Sequence, residues 1–348
     1  MNIKHLFARL SLLSALLAIM SGCAGNGKIT YSVQKIWDEG THAAFTSLVE
    51  FGGDYYCAFR EGYSHIFDQD GNAEGHIRVL VSKDGNNWKP VLDKGIEGID
   101  CRDPKLCVTP DGRLMLLFGG SLYRNKELVS QQGYVMFSSD GKSFSEPEKI
   151  ALAPDPANER NWLWRVTWNG DTGYGVAYGF GSAGRTLILY ETKDGVNYNQ
   201  LKEFDFDGFP NETTLRFLPD GKMLMMVRRD DGDRMGLWGV AEPPYTDWNV
   251  TKMGLQVGGP DFLALEDGSI LAGTRSYAIG NHCKTVVLRG TTEGDFEEVF
   301  VLPSDGDTSY PGLLVVGKEL WVSYYSTASV PGKAAIYLAR VPLSALRR

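Results

Sequence analysis

Short apolar runs separated by polar turns dominate the chain from about residue 29 onward. Leu114–Phe118 and Met223–Val227 are typical of these runs, and clusters of Gly, Asp and Asn follow them at short intervals. Runs of this length, bounded by turn-forming residues, are typical of β-strands. No stretch has the three-to-four-residue periodicity of a long amphipathic helix. The pattern therefore predicts an all-β fold.

A seven-residue turn occurs three times between these runs. Each copy has a hydroxyl residue, any residue, Asp, Gly, two further residues and an aromatic residue, and the copies start 56 and 54 residues apart: Ser82–Trp88, Ser138–Phe144 and Thr192–Tyr198. Asp-Gly favours a tight hairpin turn, because both residues tolerate positive φ and the Asp side chain accepts amides of its own turn. Degenerate copies occur at Pro244–Trp248 and Thr291–Phe296. The repeat predicts an array of similar β-units.

Aligning the apolar runs around these turns predicts the inner strand of each unit. The predicted inner strands begin, 47 to 59 residues apart, near Ala44, Asp103, Trp162, Glu212, Gly259 and Ser309. This spacing fits a four-stranded blade. Ala334–Ala339 and Ile29–Ile36 supply the last two strands and close the ring, which removes free sheet edges. We predict a six-bladed β-propeller over residues 29–348; a β-sandwich, the alternative, gives no reason for the repeat.

The N-terminus has the features of an export signal. Lys4 and Arg9 precede the apolar run Leu10–Met20, and Met20-Ser-Gly-Cys23 resembles a bacterial lipobox. We expect a lipoprotein signal peptide over residues 1–22, a lipid on Cys23 and a tether over residues 23–28. The protein would then be anchored to the bacterial cell envelope, at the periplasmic or surface face of the outer membrane. Ordinary secretion with a free Cys23 is the alternative.

Composition limits the partners. The net charge is −8 and no basic stripe is present, which argues against nucleic acid. The sequence has no C-x-x-C pair and no His/Cys cluster, so we expect no metal and no cofactor. Cys57 and Cys107 fall in apolar runs and are predicted to be buried, whereas Cys101 and Cys283 could pair in an exported protein. We expect a monomer.

In a propeller, the loops that enter the inner strands face one central funnel. At these positions the sequence places carboxylates, arginines and aromatic residues: Arg102, Asp103, Trp162, Trp164, Arg165, Glu212, Asp261 and Tyr310. This mixture is typical of a carbohydrate site, where Trp stacks on sugar rings, carboxylates exchange protons and Arg binds acidic groups. The two tryptophans can equally be core residues.

Three further arginines end the second strands of their units: Arg60, Arg228 and Arg275. A buried strand rarely contains a cation without a partner. These arginines are therefore candidates for binding an acidic substituent of the sugar. The alternative is that each pairs with a neighbouring carboxylate, as Arg60 would with Glu61.

The repeated turns resemble the Asp-boxes of the bacterial sialidase family, which are six-bladed propeller glycoside hydrolases. Asn211–Arg228 and Ser309–Tyr325 resemble the family segments that hold the catalytic Glu, a carboxylate-binding Arg and the nucleophilic Tyr. The resemblance implies that Tyr310 is the nucleophile and Glu212 its general base. A phenol needs such a base because its ordinary pKa is about 10.

The sequence also departs from the family pattern. Ala44 stands where sialidases have the first of three arginines, so Arg60 or Arg102 would replace it, and Arg275 would be the third. The family acid is an Asp in a loop of the first unit. Asp68 and Asp70 are the corresponding candidates, with Asp103 as a rival on the funnel rim.

The resemblance implies an exo-acting glycoside hydrolase that removes a terminal sugar, expected to be acidic, from a glycan. Two alternatives stay open. One is a non-catalytic glycan-binding propeller. The other is a polysaccharide lyase or furanosidase on a similar scaffold, because Arg102-Asp103-Pro104 resembles a tripeptide of five-bladed furanosidase-type hydrolases. His42 and His65 are interpreted as surface or structural residues.

Overall fold

The computed structural model describes residues 17–24, 27–40, 42–155, 160–181, 184–277, 282–330 and 332–346. Its first strands are β1 Leu17–Ala24, β2 Gly27–Trp37, β3 His42–Phe51, β4 Asp54–Gly62, β5 His76–Ser82, β6 Lys89–Lys94, β7 Asp100–Val108, β8 Leu114–Arg124, β9 Glu127–Ser138 and β10 Glu148–Lys149. The following strands are β11 Ala151–Ala153, β12 Asn161–Asn169, β13 Thr172–Gly181, β14 Gly184–Thr192, β15 Asn197–Phe204, β16 Pro210–Phe217, β17 Met223–Arg229 and β18 Leu237–Ala241. The last elements are β19 Asn249–Lys252, β20 Asp261–Ala264, β21 Ile270–Ser276, β22 Lys284–Gly290, β23 Phe296–Val301, β24 Thr308–Val316, β25 Glu319–Val330, β26 Lys333–Pro342 and the short helix α1 Leu343–Leu346. The predicted all-β class is confirmed.

Most neighbouring strands along the chain pair antiparallel. Four sheets contain β7–β10, β11–β15, β16–β19 and β20–β23. A nine-stranded sheet, here called the joint sheet, contains two antiparallel halves. One half is β3–β6; the other is β24, β25 and β26, followed by β2 and β1. The halves meet at one parallel pair, Ala334 with His42. The predicted pairing of the N-terminal strand with the last strand is confirmed, because β2 pairs with β26.

Six strands, one from each group or half-sheet and here called the first strands, surround a common axis. β3, β7, β12, β16, β20 and β24 contact one another in that order, and β24 contacts β3. Apolar clusters fill the space between successive sheets; one contains Met115, Leu117, Ile188 and Tyr190 from two neighbouring sheets. The arrangement is therefore propeller-like, with polar residues concentrated where the first strands begin.

A β-bulge interrupts five of these first strands near their beginning. The register shifts lie between Ala44/Ser47, Arg102/Lys105, Leu163/Val166, Pro210/Thr213 and Ser309/Gly312. In three of them the first bulged residue has left-handed backbone: φ is 64° at Phe45, 52° at Asp103 and 48° at Tyr310. Such φ values are strained for these residues, and bulges redirect side chains. Five of the six predicted strand starts lie within two residues of these bulges; the sixth, near Gly259, precedes β20, whose pairing with β21 has no bulge.

The three seven-residue turns form as predicted. In each, the first oxygen of the Asp carboxylate accepts two backbone amides of the turn, at 2.8 and 2.9 Å for Asp84, 2.8 and 2.7 Å for Asp140, and 2.8 and 2.7 Å for Asp194. These hydrogen bonds favour the ionised form, so the pKa of each carboxyl lies below its ordinary value. At Asp194 partial burial opposes the shift, but the hydrogen bonds outweigh it.

Each of these turns packs on the preceding strand group. The Gly141 turn lies on Tyr56, and the Gly195 turn lies on Met115. The first turn reaches the end of the chain, because a Cβ at Gly85 would lie 2.1 Å from the Trp321 ring. Arg340 Nη2 also donates to the Gly85 carbonyl at 2.6 Å. The same contact therefore recurs around the axis and joins the first strand group to the last.

The predicted signal and tether regions are only partly described, since residues 1–16 and 25–26 lie outside the described residues. Leu17–Ala24 forms β1 against β2. Cleavage before Cys23, as predicted, would remove most of β1 and leave β2 as the edge strand. No helix among the described residues is long and apolar enough to cross a membrane.

Two expectations about cysteines need correction. Cys101 and Cys283 are free thiols, so the proposed pairing is wrong. Cys107 is only partly buried as a residue, whereas Cys57 is buried as predicted. Burial raises the pKa of the Cys57 thiol to about 12, which keeps it protonated and unreactive.

Two glycines with positive φ test the turn-to-sheet contact. Gly112 has φ of 78° and open space around a Cβ, whereas Gly85 has φ of 70° and faces Trp321. Gly112→Ala should lower the free energy of unfolding by about 1–2 kcal/mol from backbone strain alone. Gly85→Ala should cost about 1–3 kcal/mol more, because the ring must move. Equal losses in urea unfolding would contradict the contact.

Candidate active site

Tyr310, Glu212 and Arg228 form a hydrogen-bonded group where β24, β16 and β17 meet at the axis. Tyr310 Oη donates to Glu212 Oε1 at 2.7 Å and accepts from Arg228 Nη1 at 2.7 Å. Arg228 Nη1 also lies 2.9 Å from Glu212 Oε2. Tyr310 and Glu212 are 8% and 7% exposed, so both sit at the floor of the site. The structure brings these three sequence-predicted residues together.

Backbone groups hold this arrangement in place. The Gly259 amide donates to Glu212 Oε2 at 2.8 Å, and Asn211 Oδ1 accepts the Glu212 amide at 2.7 Å. Gly259 has φ of 58°, and a Cβ there would lie 2.4 Å from the Tyr310 ring. Only glycine satisfies both requirements. Gly259 therefore allows Tyr310, the nucleophile candidate, to pack directly against the loop that leads into β20.

The electrostatics suit a neutral phenol beside an ionised carboxylate. Burial, helped by the negative charge of Glu212, raises the pKa of Tyr310 well above its ordinary value, although Arg228 and Arg275 oppose the shift. Burial alone would raise the pKa of Glu212. The Arg228 charge and the hydrogen bonds from Tyr310 and Gly259 outweigh burial, and the pKa is lowered. Glu212 is thus ready to accept the proton that Tyr310 must lose before it can attack.

Arg275 lies on the other side of Tyr310. Its Cζ is 5.3 Å from the centre of the Tyr310 ring. The side chain donates from Nε to the Thr308 carbonyl at 2.8 Å and from Nη2 to Tyr325 Oη at 2.9 Å. Tyr325 in turn donates to Asp307 Oδ1 at 2.7 Å. Two arginines therefore flank the phenol, as the resemblance implied.

Asp307 also binds two histidines from the first strand group. His42 Nε2 lies 2.9 Å and His65 Nδ1 lies 2.7 Å from the same oxygen, Asp307 Oδ2. Burial opposes ionisation of Asp307, but the two histidine hydrogen bonds outweigh it and its pKa is lowered. Among the described residues, these three form the one group whose ligand atoms, all within 4.8 Å, are spaced for a metal ion.

Arg102 and Asp103 line the same region. Arg102 Nη1 donates to Asp100 Oδ2 at 3.2 Å, and its Cζ lies 4.9 Å from the Phe45 ring centre. Burial raises the pKa of Asp103, and Arg102 and Lys105 only partly offset this effect. Asp103 Oδ1 is buried without a hydrogen-bond partner among the described residues. The pKa of the Asp103 carboxyl therefore lies above its ordinary value.

Arg60 does not have the predicted role. It is fully buried, and its Nε and Nη2 both lie 2.8 Å from Asp100 Oδ1. Its Nη1 donates to the Ser64 carbonyl at 2.8 Å. A guanidinium with these partners and no exposed surface cannot reach a substrate. The structural alternative is correct, with Asp100 as the partner in place of Glu61.

The two tryptophans pack in the core. Trp162 and Trp164 are 3% and 1% exposed. Lys105 Nζ lies 4.3 Å from the centre of the Trp164 ring, and Tyr310 contacts that ring edge-on with centroids 5.8 Å apart. The predicted stacking of these rings on a sugar is therefore wrong, because their faces are covered. Trp164 supports Tyr310 from below instead.

Arg165 and Asp261 bind each other and not the open part of the site. Arg165 Nη2 lies 3.4 Å from Asp261 Oδ2, and Arg216 Nη2 lies 2.5 Å from Asp261 Oδ1. Asp261 also accepts the Leu313 amide at 3.2 Å. With Asp261 1% and Arg165 6% exposed, this group joins four first strands, β12, β16, β20 and β24. The predicted substrate-binding role is replaced by a structural one.

Asp70 and Asp68 lie in an exposed loop of the first strand group. Asp68 Oδ1 accepts the amides of Asp70 and Asn72 at 2.9 and 2.8 Å, which fixes a turn. Asp70 is exposed, and none of the hydrogen bonds around Tyr310 described above involves either carboxylate. The role of acid stays a prediction for Asp70, without support from these contacts.

One alignment is shifted by a residue. Arg229, not Arg228, pairs with the residue before its bulge, as Arg60 does with Ala44. After the bulge, β16 has five paired residues, Thr213–Phe217, whereas β7 has four, Lys105–Val108. Arg228 therefore lies opposite the bulge, from which it reaches Glu212.

Sequence reasoning missed the roles of His42, His65 and Tyr325. The one available signal is position. His42 begins a first strand, and Tyr325 lies on a second strand opposite Ser309, the residue before the bulge, as Arg60 lies opposite Ala44. Asp307 lies just before the sixth predicted inner strand, but its histidine partners are 265 and 242 residues away in sequence.

Solved structures share this fold at low sequence identity. A protein of unknown function from Dyadobacter fermentans has a TM-score of 0.73 and 20% identity, covering 89% of this chain and 99% of that chain. Trypanosoma rangeli sialidase in complex with the inhibitor DANA has a TM-score of 0.68 and 14% identity, covering 88% and 55%. Penicillium chrysogenum α-L-arabinanase complexed with arabinobiose has a TM-score of 0.66 and 16% identity, covering 89% and 97%.

These similarities show the fold alone. The chain spans about half of the Trypanosoma sialidase, with coverage of 55%. No family model matches the chain, and no curated protein matches it. The function must therefore be inferred from the site.

The buried pair of Arg60 and Asp100 gives a stability prediction. Asp100→Asn leaves the Arg60 charge buried without a carboxylate, so the free energy of unfolding should fall by about 3–5 kcal/mol. Asp38→Asn, which removes the exposed partner of Lys35, should change the urea midpoint very little. A similar small change in both variants would show that Arg60 finds another partner or lies in water.

Proposed function

We propose that the protein is an exo-acting glycoside hydrolase of the sialidase-like type, in which Tyr310 is the nucleophile and Glu212 its general base. One observation carries the proposal: the Tyr310 hydroxyl donates to Glu212 at 2.7 Å while accepting from Arg228 at 2.7 Å. A phenol so placed can lose its proton to Glu212, and the Arg228 cation stabilises the phenolate that forms. A tyrosine that served packing alone would not need either partner.

The reaction would run in two displacements. Tyr310 Oη attacks the anomeric carbon, its proton passes to Glu212, and the glycosidic C–O bond breaks as a separate acid protonates the leaving oxygen. Water then attacks the anomeric carbon of the glycosyl–tyrosine and gives a proton to the conjugate base of that acid. The Tyr310 oxygen leaves and recovers its proton from Glu212, so the net reaction is hydrolysis with retained configuration. A neutral nucleophile suits a substrate that carries a negative charge, because it approaches without repulsion.

The substrate proposed is a terminal acidic sugar of a glycan. Arg228, Arg275 and Arg102 present cations around Tyr310 and retain 16%, 14% and 11% side-chain exposure. An acidic substituent would compete for their fork-shaped donors. Ala44, where sialidases have an arginine, is fully buried and followed by Phe45. The carboxylate would therefore be bound in another geometry than the three-arginine pattern, with Arg102 as the replacement.

The proposal includes the architecture and location. Counting each half of the joint sheet separately gives six units around the axis, a six-bladed propeller with Asp-box turns over residues 29–348. We also propose that Cys23 carries a lipid that anchors a monomeric protein to the cell envelope. The mass of the N-terminal peptide from the native host tests the lipid, since a mature chain that begins elsewhere than Cys23 would exclude it.

A second candidate is a glycosidase that uses two carboxylates, as in furanosidases. The observation that favours it is Asp103, whose Oδ1 is buried without a described partner and whose pKa is raised by burial, next to the lowered pKa of Glu212. A protonated and an ionised carboxyl are the pair that glycoside hydrolysis requires. In this candidate Tyr310 would only orient Glu212.

Substitution at the phenol tests the proposal. With the best substrate from a panel of acidic, neutral and arabinofuranosyl aryl glycosides, Tyr310→Phe and Glu212→Gln should each lower kcat/KM by about 10²–10⁴-fold. Tyr324→Phe is the matched control, because Tyr324 is also a buried phenol but donates to the Pro303 carbonyl. The control should keep full activity.

Other outcomes select the alternatives. Full activity in Tyr310→Phe with loss in Asp103→Asn would favour the two-carboxylate mechanism. Unsaturated sugar ends among the products would indicate a lyase. Glycan binding without cleavage of any panel member would indicate a binding protein.

A further inference from the structure

The proposed mechanism needs a proton donor for the leaving group, and His65 is placed to supply it. We propose that His65 is the catalytic acid and base of this site, with Asp307 and His42 as positioning residues. The inference rests on the proposed function. It assigns the proton donor, for which the sequence alone suggested Asp68, Asp70 or Asp103. His65 is 44% exposed, whereas the other groups that bind Asp307 are largely buried. It is thus the member of this group that a substrate can reach.

The location of His65 relative to the nucleophile is set by Phe45. The Phe45 ring contacts the His65 ring with centroids 5.2 Å apart and the Tyr310 ring with centroids 5.0 Å apart. Phe45 occupies the first bulged position of β3, as Tyr310 does in β24. Both side chains therefore contact one ring. In the proposal, Tyr310 attacks the anomeric carbon and His65 faces the leaving oxygen of the same sugar.

Asp307 fixes which nitrogen of His65 faces the site. Its Oδ2 lies 2.7 Å from His65 Nδ1, while Oδ1 accepts from Tyr325 at 2.7 Å. A carboxylate held from both sides has little freedom to turn. Nδ1 therefore carries a proton toward Asp307. Nε2, which lies 3.5 Å from Arg102 Nη2, is then the nitrogen that would exchange a proton with the substrate. This is the orienting role of the carboxylate in His-dependent hydrolases.

His42 completes the support. It is 4% exposed and lies 2.9 Å from the oxygen that His65 uses. Burial lowers the pKa of His42, although Asp307 opposes the effect. A neutral His42 donates to Asp307 without adding a second charge, which leaves the carboxylate charge to stabilise the His65 imidazolium.

The alternative donors fit less well. Asp70 lies in the exposed turn fixed by Asp68, outside the contacts around Tyr310. Asp103 lies 3.5 Å from Arg102 and close to Lys105, and it is only 8% exposed. In the first displacement, protonated His65 would give its Nε2 proton to the leaving oxygen; in the second, neutral His65 would take a proton from the attacking water. The proton balance then closes without a further group.

A metal ion is a weaker interpretation of the same three residues. His42 and His65 contact Asp307 at hydrogen-bond distances of 2.9 and 2.7 Å. Two cations also face the group: Arg102 Nη2 lies 3.5 Å from His65 Nε2, and Arg275 Nη2 lies 3.4 Å from Asp307 Oδ1. A divalent cation would be repelled by both. We therefore treat the three residues as a hydrogen-bonded group.

Six titratable or charged groups surround His65. Asp307, Asp103, Arg102 and His42 interact with it directly, and Tyr325 and Arg275 contact Asp307. Because an acid must hold its proton before the first displacement, activity should fall as pH rises. That alkaline limb should belong to His65.

The test compares His65→Gln with His76→Gln. His76 is the matched control, because its Nδ1 also lies 2.9 Å from a carboxylate, Asp93, and it is 52% exposed on the surface. With a poor leaving group, such as an alkyl aglycone, His65→Gln should lose about 10²–10⁴-fold in kcat/KM. With a dinitrophenyl leaving group, which needs no proton, the loss should be below about 10-fold. The alkaline limb should disappear, and His76→Gln should match the wild type.

Asp307→Asn tests the positioning role. It should lower kcat mainly for the poor leaving group, in the same direction as His65→Gln but less. Equal losses for both leaving groups in His65→Gln, an unchanged alkaline limb, or loss of wild-type activity with EDTA would overturn the His65 assignment. Tyr310→Phe separates the two proposals. If Tyr310→Phe is inactive while His65→Gln loses equally with both leaving groups or keeps the alkaline limb, only the inference about His65 fails. A wild-type protein that cleaves no panel glycoside would overturn both.

Discussion

The site depends on backbone strain at the first bulged residue of the first strands. Phe45, Asp103 and Tyr310 take left-handed φ at equivalent places, the first position of each bulge. Strain of this kind costs on the order of 1–3 kcal/mol per residue and persists only where the surroundings enforce it. Here the enforcement comes from the closed ring of strands, in which β24 contacts β3. The bulges are therefore the link between the fold and the chemistry.

The bulges explain how a neutral core and a charged site coexist. Below the bulges, apolar residues fill the spaces between sheets. Near the bulges, three arginines meet a carboxylate from another strand: Arg60 meets Asp100, Arg165 meets Asp261, and Arg228 meets Glu212. Burial of these charges is tolerated because both members are present. The partly exposed pairs around Tyr310 are the ones left for chemistry, whereas the fully buried pairs join the strands.

The sequence predicted the parts of the site that follow from a repeat. The seven-residue turns set the spacing of the units, and that spacing placed Glu212, Arg228 and Tyr310 at one axis. What it could not predict are the pairings between units. Asp100 as the partner of Arg60, Lys105 over the face of Trp164, and His65 on Asp307 each depend on which side chains meet across the ring. Register errors of one residue, as between Arg228 and Arg229, arise because the strands differ in length beyond the bulge, which no periodic pattern encodes.

Mass spectrometry of a trapped intermediate tests the central claim most directly. The wild-type protein would be incubated with fluorinated, activated forms of the sugar that it cleaves best, digested and sequenced by tandem fragmentation. The account predicts a glycosyl group attached to Tyr310 Oη, absent when Tyr310→Phe is treated in the same way. A glycosyl ester on Glu212 or Asp103 would contradict it, as would hydrolysis with inverted configuration and no adduct.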